Sequence, residues 1–375
     1  MDIEIRSERP EDFEAILKLT YESFLTLDYD GRKRIDEHYL VQLFKGSSSV
    51  INDLSFVAVV DGEIVGHILY IESKVVQGIA IGDEKKNQDV HDISSADIKT
   101  ITFGPLTVHP KYHRQGIGSA LVFHSIEVAK DLGYGAVIIV GVSDYYPKLG
   151  FKRSWELGLK LEDGTSPDVL MAIEITEGYL NGGGEVHFLA PEYEKCEAED
   201  EDFEDFYKQF MKKYYPNQIT LRPFWDNDIS LMEIWLYLPH VAEWYEHPEH
   251  WLSEVKKRKE EFSFLTHFIV EFEGKPIGFA QYYDCYFAKE HEIWHDEWNV
   301  NEKQGIDYSI DYLIGDTEYL HKGYGKEIVR QLVERIKALG AKRIIAEPEE
   351  ENSNSNGVLI SNGFIAFAEG YVKEL

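Results

Sequence analysis

Val108-His109-Pro110-Lys111-Tyr112-His113-Arg114-Gln115-Gly116-Ile117-Gly118-Ser119-Ala120-Leu121 leads out of an apolar stretch, through two glycines one residue apart, into a run of helical character. Two hundred residues on, the pattern returns. Ile310-Asp311-Tyr312-Leu313-Ile314 is an apolar strand, His321-Lys322-Gly323-Tyr324-Gly325 is the loop, and a helix runs from about Lys326 to Leu339. A strand, a glycine turn and a helix start form an anion site: glycine lets the backbone approach a ligand, and the first amide groups of the helix have no partner inside it. Neither loop reads Gly-x-Gly-x-x-Gly and neither ends in Gly-Lys-Ser/Thr, so nucleotide-binding turns of those two kinds are excluded.

The flanks repeat as well, which indicates duplication or fusion. Phe56-Val57-Ala58-Val59-Val60, the turn Asp61-Gly62 and the return Glu63 to Tyr70 make a hairpin in the first half. His267 to Phe272, the turn Glu273-Gly274 and Pro276 to Gln281 make one in the second. The first loop helix is expected from about Ser119 to Leu132. Gly133 and Gly340 follow the two helices as C-caps, and the strands Ala136 to Val140 and Arg343 to Ala346 come next. Each half closes on Gly-Phe, at 150–151 and 363–364. The expected class is α/β (α+β) with two domains: 1–195, an acidic linker at 196–217 that is either unstructured or a solvated helix, and 218–375.

Composition bounds the function. Lys and Arg number 38 against 68 Asp and Glu, a formal charge of -30. Such a surface repels phosphate backbones, so no nucleic-acid partner is expected, and it attracts cations. No apolar stretch approaches the roughly 20 residues of a membrane span, and Met1 to Arg6 lack a signal pattern. Cys196 and Cys285 are too few for a disulfide framework, so a cytoplasmic protein is expected. The histidines of Glu246-His247-Pro248-Glu249-His250 are interrupted by proline and fit a helix start better than a metal site. No metal is expected.

The stretch Val108 to Leu121 resembles the acetyl-CoA motif of the GNAT superfamily, Gln/Arg-x-x-Gly-x-Gly/Ala, with His113 and Leu320 at the first position of the two copies. Tyr145-Tyr146-Pro147-Lys148-Leu149-Gly150-Phe151 is similar to the ending of a broad group of predicted acetyltransferases. The second half resembles aminoglycoside 6'-N-acetyltransferases at His240 to Tyr245, Gly274 to Gln281, Gly305-Ile306-Asp307 and His321 to Gly325. The resemblance implies two GNAT folds, each a mixed, mostly antiparallel twisted sheet flanked by helices, with acetyl-CoA as co-substrate. It places the coenzyme on Leu106, Thr107, Val108, His113, Arg114, Gln115, Gly116, Ile117, Gly118 and Ser119 in one half. In the other it uses Tyr312, Leu313, Ile314, His321, Lys322, Gly323, Tyr324, Gly325 and Lys326.

Acetyl transfer to an amine requires loss of an amine proton, polarisation of the carbonyl and departure of the thiolate. Through the resemblance, Asp307 is the carboxylate that contacts the reacting amine. Tyr146, five residues before Phe151, takes the place of a tyrosine that protonates the thiolate, and Leu359 stands at the matching place in the second half. Glu72 is a candidate base in the first half. Trp244, Tyr245, Gln281, Tyr283, Glu290, Glu292 and Trp294 are candidate substrate contacts, since acids pair with ammonium groups and aromatic faces take sugars or cations. The expected reaction is N-acetylation of a small cationic amine, aminoglycoside-like in the second half and unknown in the first. One half as a degenerate acyl-CoA-binding module is the alternative, a scaffold that recruits a basic partner through the acidic linker is a third reading, and a homodimer is left open.

Overall fold

The computed structural model describes residues 2–25, 35–77, 97–142, 144–198, 201–291, 300–368 and 370–375. The chain divides into two compact units, which exchange their roles between Phe203 and Glu204.

The first unit runs β1 (Glu4–Ser7), α1 (Phe13–Phe24), α2 (Glu37–Phe44), β2 (Val50–Val60), β3 (Glu63–Val76), β4 (Ile98–Phe103), β5 (Thr107–Val108), α3 (Ile117–Asp131), β6 (Ala136–Val140), β7 (Lys152–Arg153), β8 (Leu159–Lys160), β9 (Leu170–Glu174), β10 (Gly184–Phe188) and α4 (Glu192–Glu197). Its sheet follows the order β1-β2-β3-β4-β6-β9-β7, with β5 and β10 also on β3. Along this order the β4–β6 pair is parallel, because α3 lies between those strands in the chain and a parallel pair needs such a crossover. The apolar stretch that leads into Val108 is not one continuous strand: β4 ends at Phe103, and β5 begins at Thr107, after the Gly104-Pro105 bond. Pro105 has no amide hydrogen to give a ladder.

The acidic stretch expected as a linker is mostly helix, α5 (Glu201–Tyr214). Phe203, Tyr207, Phe210 and Met211 are buried at helical spacing, and the acids occupy the other positions. In the second unit Tyr207 donates its hydroxyl to Glu271 at 2.8 Å, and the Glu273-Gly274 turn packs against Met211.

The second unit continues with β11 (Ile219–Pro223), α6 (Ile229–Leu236), α7 (Pro239–Ala242), α8 (Pro248–Lys256), β12 (Leu265–Phe272), β13 (Lys275–Asp284), α9 (Cys285–Glu290), β14 (Asp307–Ile314), α10 (Tyr324–Ala338), β15 (Arg343–Ala346), α11 (Ser353–Ser361), β16 (Ile365–Phe367) and β17 (Gly370–Glu374). Its sheet order is β11-β12-β13-β14-β15-β17-β16, with the β14–β15 pair parallel. Alternation along the strands, reset in β13 by the bulge at Ile277, sorts the side chains between two cores. Ile277, Ala280 and Ile310 meet Ile328, Val329, Leu332 and Ile336 of α10, while Ile269, Phe279 and Leu313 meet Trp235, Leu236, Leu252 and Val255 of α6 and α8. Burying each of these large side chains contributes about 1.5–3 kcal/mol. A buried triad, Arg222 between Asp228 and Glu271 at 2.7 Å each, ties β11 to β12 and to the turn before α6.

Candidate functional site

Both glycine loops take the same path. Arg114 (φ +61°) and Gly116 (φ +88°) in the first unit match His321 (φ +57°) and Gly323 (φ +82°) in the second, and α3 and α10 start at the next residue. At Gly116 and Gly323 the positive φ demands glycine, while the space a Cβ would take is empty. The second glycines serve packing instead. A Cβ on Gly118 would lie 2.7 Å from the Tyr145 hydroxyl, and one on Gly325 would meet Val358 at 3.3 Å and the Tyr312 ring at 3.5 Å. Hence each helix opens at an uncrowded turn carrying the positive end of its dipole. His113 contributes by bracing: its Nε2 donates to the Val108 carbonyl at 2.8 Å, and Gln115 donates to Lys111 at 3.0 Å. Arg114, Gln115, His321, Lys322 and Lys326 are exposed, and Ser119 is partly so.

The strands before the loops fork away from their parallel neighbours. β4 meets β6 at a single pair, Ile101 with Val137, and β14 meets β15 only from Asp307 to Ser309. Residues 310–314 therefore continue along β13 with one edge leaving β15. The Gly315 amide donates to Ile277 on β13, so by alternation the main-chain groups of Tyr312 and Ile314 point to the diverging edge. Their carbonyls accept from the Tyr245 hydroxyl (2.7 Å) and from His240 Nε2 (3.0 Å). In the first unit Leu106 and Val108 are partly buried at the corresponding edge, and Thr107 is buried beside the Thr20 hydroxyl at 3.4 Å.

Asp307 does not stand free at this fork. It is 3% exposed; Arg343 Nε donates to one carboxylate oxygen at 3.0 Å and the Asn301 amide to the other at 2.8 Å. A carboxylate so occupied joins β14 to β15. Asp311 lies four residues further along the same strand, nearer the glycines. Gln281, its cross-strand partner, donates to it at 2.8 Å. Burial pushes Asp311 up to about 6, with Glu347 adding to the rise and the Gln281 bond opposing it. Glu254 of α8 is pushed up to about 8, by burial first and then by the Asp311 charge. Near neutral pH the two carboxyls thus hold about one negative charge between them. Tyr245 and Tyr283 feel the Asp311 charge, and burial holds both phenols well above their ordinary range. Gln281 and Tyr283 are buried and Trp244 is partly exposed. Glu292 and Trp294, with the side chain of Glu290, lie outside the described residues.

The first unit differs at the same register. Gly66 of β3 pairs with Val108 as Gly278 of β13 pairs with Ile314, so Leu69 stands where Gln281 does. Leu69 accepts from the amide of Gly104, which takes the place of Asp311. The Tyr193 hydroxyl of α4 lies 3.7 Å from where a Cβ on Gly104 would be. Glu72 is a surface residue, 45% exposed and paired with Lys99 at 2.6 Å, so it offers no free base. Tyr146 is buried among Phe103, Tyr145 and Phe151, with ring centroids 5.0–5.8 Å away, and burial raises its phenol.

The Acetyltransferase (GNAT) family matches residues 13–151, and an Acetyltransferase (GNAT) domain matches residues 225–370. Both units belong to the GNAT acetyltransferases. An aminoglycoside N(6')-acetyltransferase type 1 of Klebsiella pneumoniae is 29% identical over 130 residues, 32% of this chain and 60% of the relative. The uncharacterized N-acetyltransferase YhbS of Escherichia coli is 25% identical over 91 residues, 24% of this chain and 54% of the relative. The chain thus spans less than two thirds of the length of these curated relatives. The crystal structure of YhbS from Escherichia coli in complex with CoA superposes with a TM-score of 0.41 at 22% identity, covering 51% of this chain and 92% of that one. Among the described residues no helix is long and apolar enough to cross a membrane. The sequence reading did not single out the partly buried carboxyls Asp311 and Glu254. Ile-Asp occurs at both 306–307 and 310–311, and the strand register sets Asp311 across from Gln281.

Proposed function

We propose that the chain is an acetyl-CoA-dependent N-acetyltransferase whose C-terminal unit modifies a cationic amine. The partly buried pair Asp311 and Glu254, set beside the fork and ahead of the α10 glycine turn, carries this reading. The turn at Gly323 fits a diphosphate, since it opens a helix and the space beside its Cα is uncrowded, and the diverging edge of β14 fits a pantetheine arm. The two acids hold the ammonium and draw it toward the carbonyl. Asp311 takes its proton, the amine forms the C–N bond, and amide groups on the β14 edge hold the oxyanion. The aminoglycoside relative makes a compound with several amines the first substrate to try. The N-terminal unit keeps the glycine turn and Tyr146 but has Leu69 and Gly104 at the acceptor register, which favours acyl-CoA binding with a different acceptor or none.

The test is coenzyme A release by the full chain with a panel of aminoglycosides, polyamines and amino-acid amides. Release with a polycationic amine, lost in Asp311→Asn and kept in a variant of the N-terminal loop, is expected. Turnover that depends on the N-terminal loop alone would assign the chemistry to the other unit.

A further inference from the structure

We propose that the Tyr312 hydroxyl holds the departing sulfur of coenzyme A in the C-terminal unit, replacing the tyrosine that position 359 lacks. This rests on the acetyl-transfer reading above. Leu359 is buried in the core with no proton to give. Tyr312 stands on β14 past its last pairing with β15, on the face that packs toward α10. Its ring lies 3.5 Å from the Cβ position of Gly325, and its hydroxyl is 3.1 Å from Ser355 Oγ on α11. Ser355 precedes Leu359 by four residues, so both sit on one side of α11. The phenol thus crosses from the diverging strand to the helix that carries the missing position. The N-terminal unit has a parallel: the Tyr145 hydroxyl rests against Gly118, the equivalent second glycine, 3.5 Å from Ser119 Oγ.

Burial pushes Tyr312 up to about 12, the Ser355 bond opposing, so it remains protonated and able to donate at neutral pH. A phenol this weak does not surrender its proton to a thiolate. It donates a hydrogen bond as the C–S bond breaks and the electron pair moves to sulfur. The thiolate then takes a proton from solvent, which balances the one released from the attacking ammonium through Asp311.

The experiment titrates the thiol of bound coenzyme A by thiolate absorbance. It uses the full chain carrying Gly116→Asp, which puts a carboxylate at the uncrowded turn of the N-terminal anion site. With Tyr312 present the bound thiol is expected to ionise about one pH unit lower than in Tyr312→Phe. Desulfo-coenzyme A should bind both proteins within about twofold. Equal thiol ionisation in the two proteins, or equal loss of affinity for coenzyme A and its desulfo analogue, would overturn the role of Tyr312. Absence of coenzyme A binding before the substitution is made would instead overturn the acetyl-transfer reading, and this inference with it.

Discussion

Asp311 and Glu254 illustrate how one side chain sets both chemistry and cost. A carboxyl that ionises near 6 is charged at neutral pH and still basic enough to accept a proton, so kcat/KM should rise with pH through about 6. Asp311→Asn should lower kcat by about 100-fold or more, with little change in the KM for acetyl-CoA, and remove that limb. A pH–rate profile of both proteins checks this, and an intact limb in the variant would reject Asp311 as the base. Glu254 has the opposite relation to stability. Its folded value, about 8, lies above the ordinary 4.5, so the unfolded chain gives up this proton more readily. Stability from this group is present below pH 4.5 and is lost as pH rises toward about 8. Glu254→Gln should therefore stabilise the fold at pH 9, by on the order of 2 kcal/mol after allowing for partial solvent screening, and change its stability little at pH 4. Melting curves at the two pH values decide, and equal shifts at both would show that charge is not the cause.

Among elements, the glycine turns were the most legible in the sequence because their requirement is local: φ and an open first helical turn depend on a few consecutive residues. Strands β6 and β15 were equally legible as short apolar runs. The carboxylate proposed here as the base was not, because Asp307 and Asp311 share one face of β14 and differ in what lies across from them: Arg343 for one, Gln281 for the other. The buried stripe of α5 was hidden by the acids between its aromatic residues. Two glycines with different duties, Gly323 in the turn and Gly278 in β13, give a test. Gly323→Ala places a side chain at φ +82° and should cost about 1–2 kcal/mol and weaken acetyl-CoA binding, since strain there distorts the anion turn. Gly278→Ala would drive Cβ to 2.2 Å from the Leu313 carbonyl and should be the more damaging to folding, parting β13 from β14. Chemical denaturation of both variants ranks them, and the reverse order would show that the turn and not the strand contact limits stability.

For the whole molecule, charge is the property that no element explains. A formal charge of -30 spread over 375 residues raises the local concentration of a polycation and repels the anionic coenzyme. The coenzyme must be drawn in by short-range contacts with the helix amides, whereas the amine is guided from a distance. The two substrates should therefore answer salt in opposite senses. From about 10 mM to 500 mM salt the Debye length falls from about 30 Å to a few Å, which removes guidance but leaves contact hydrogen bonds. The KM for a polyamine should rise several-fold across this range, and the KM for acetyl-CoA should hold or fall. A monoamine should show a much smaller rise, because its attraction to the surface scales with its charge. Steady-state kinetics with the two amines measures this directly. If the two amines respond alike, the acidity of the chain plays no part in choosing its substrate, and recognition reduces to the pair of carboxyls at the fork.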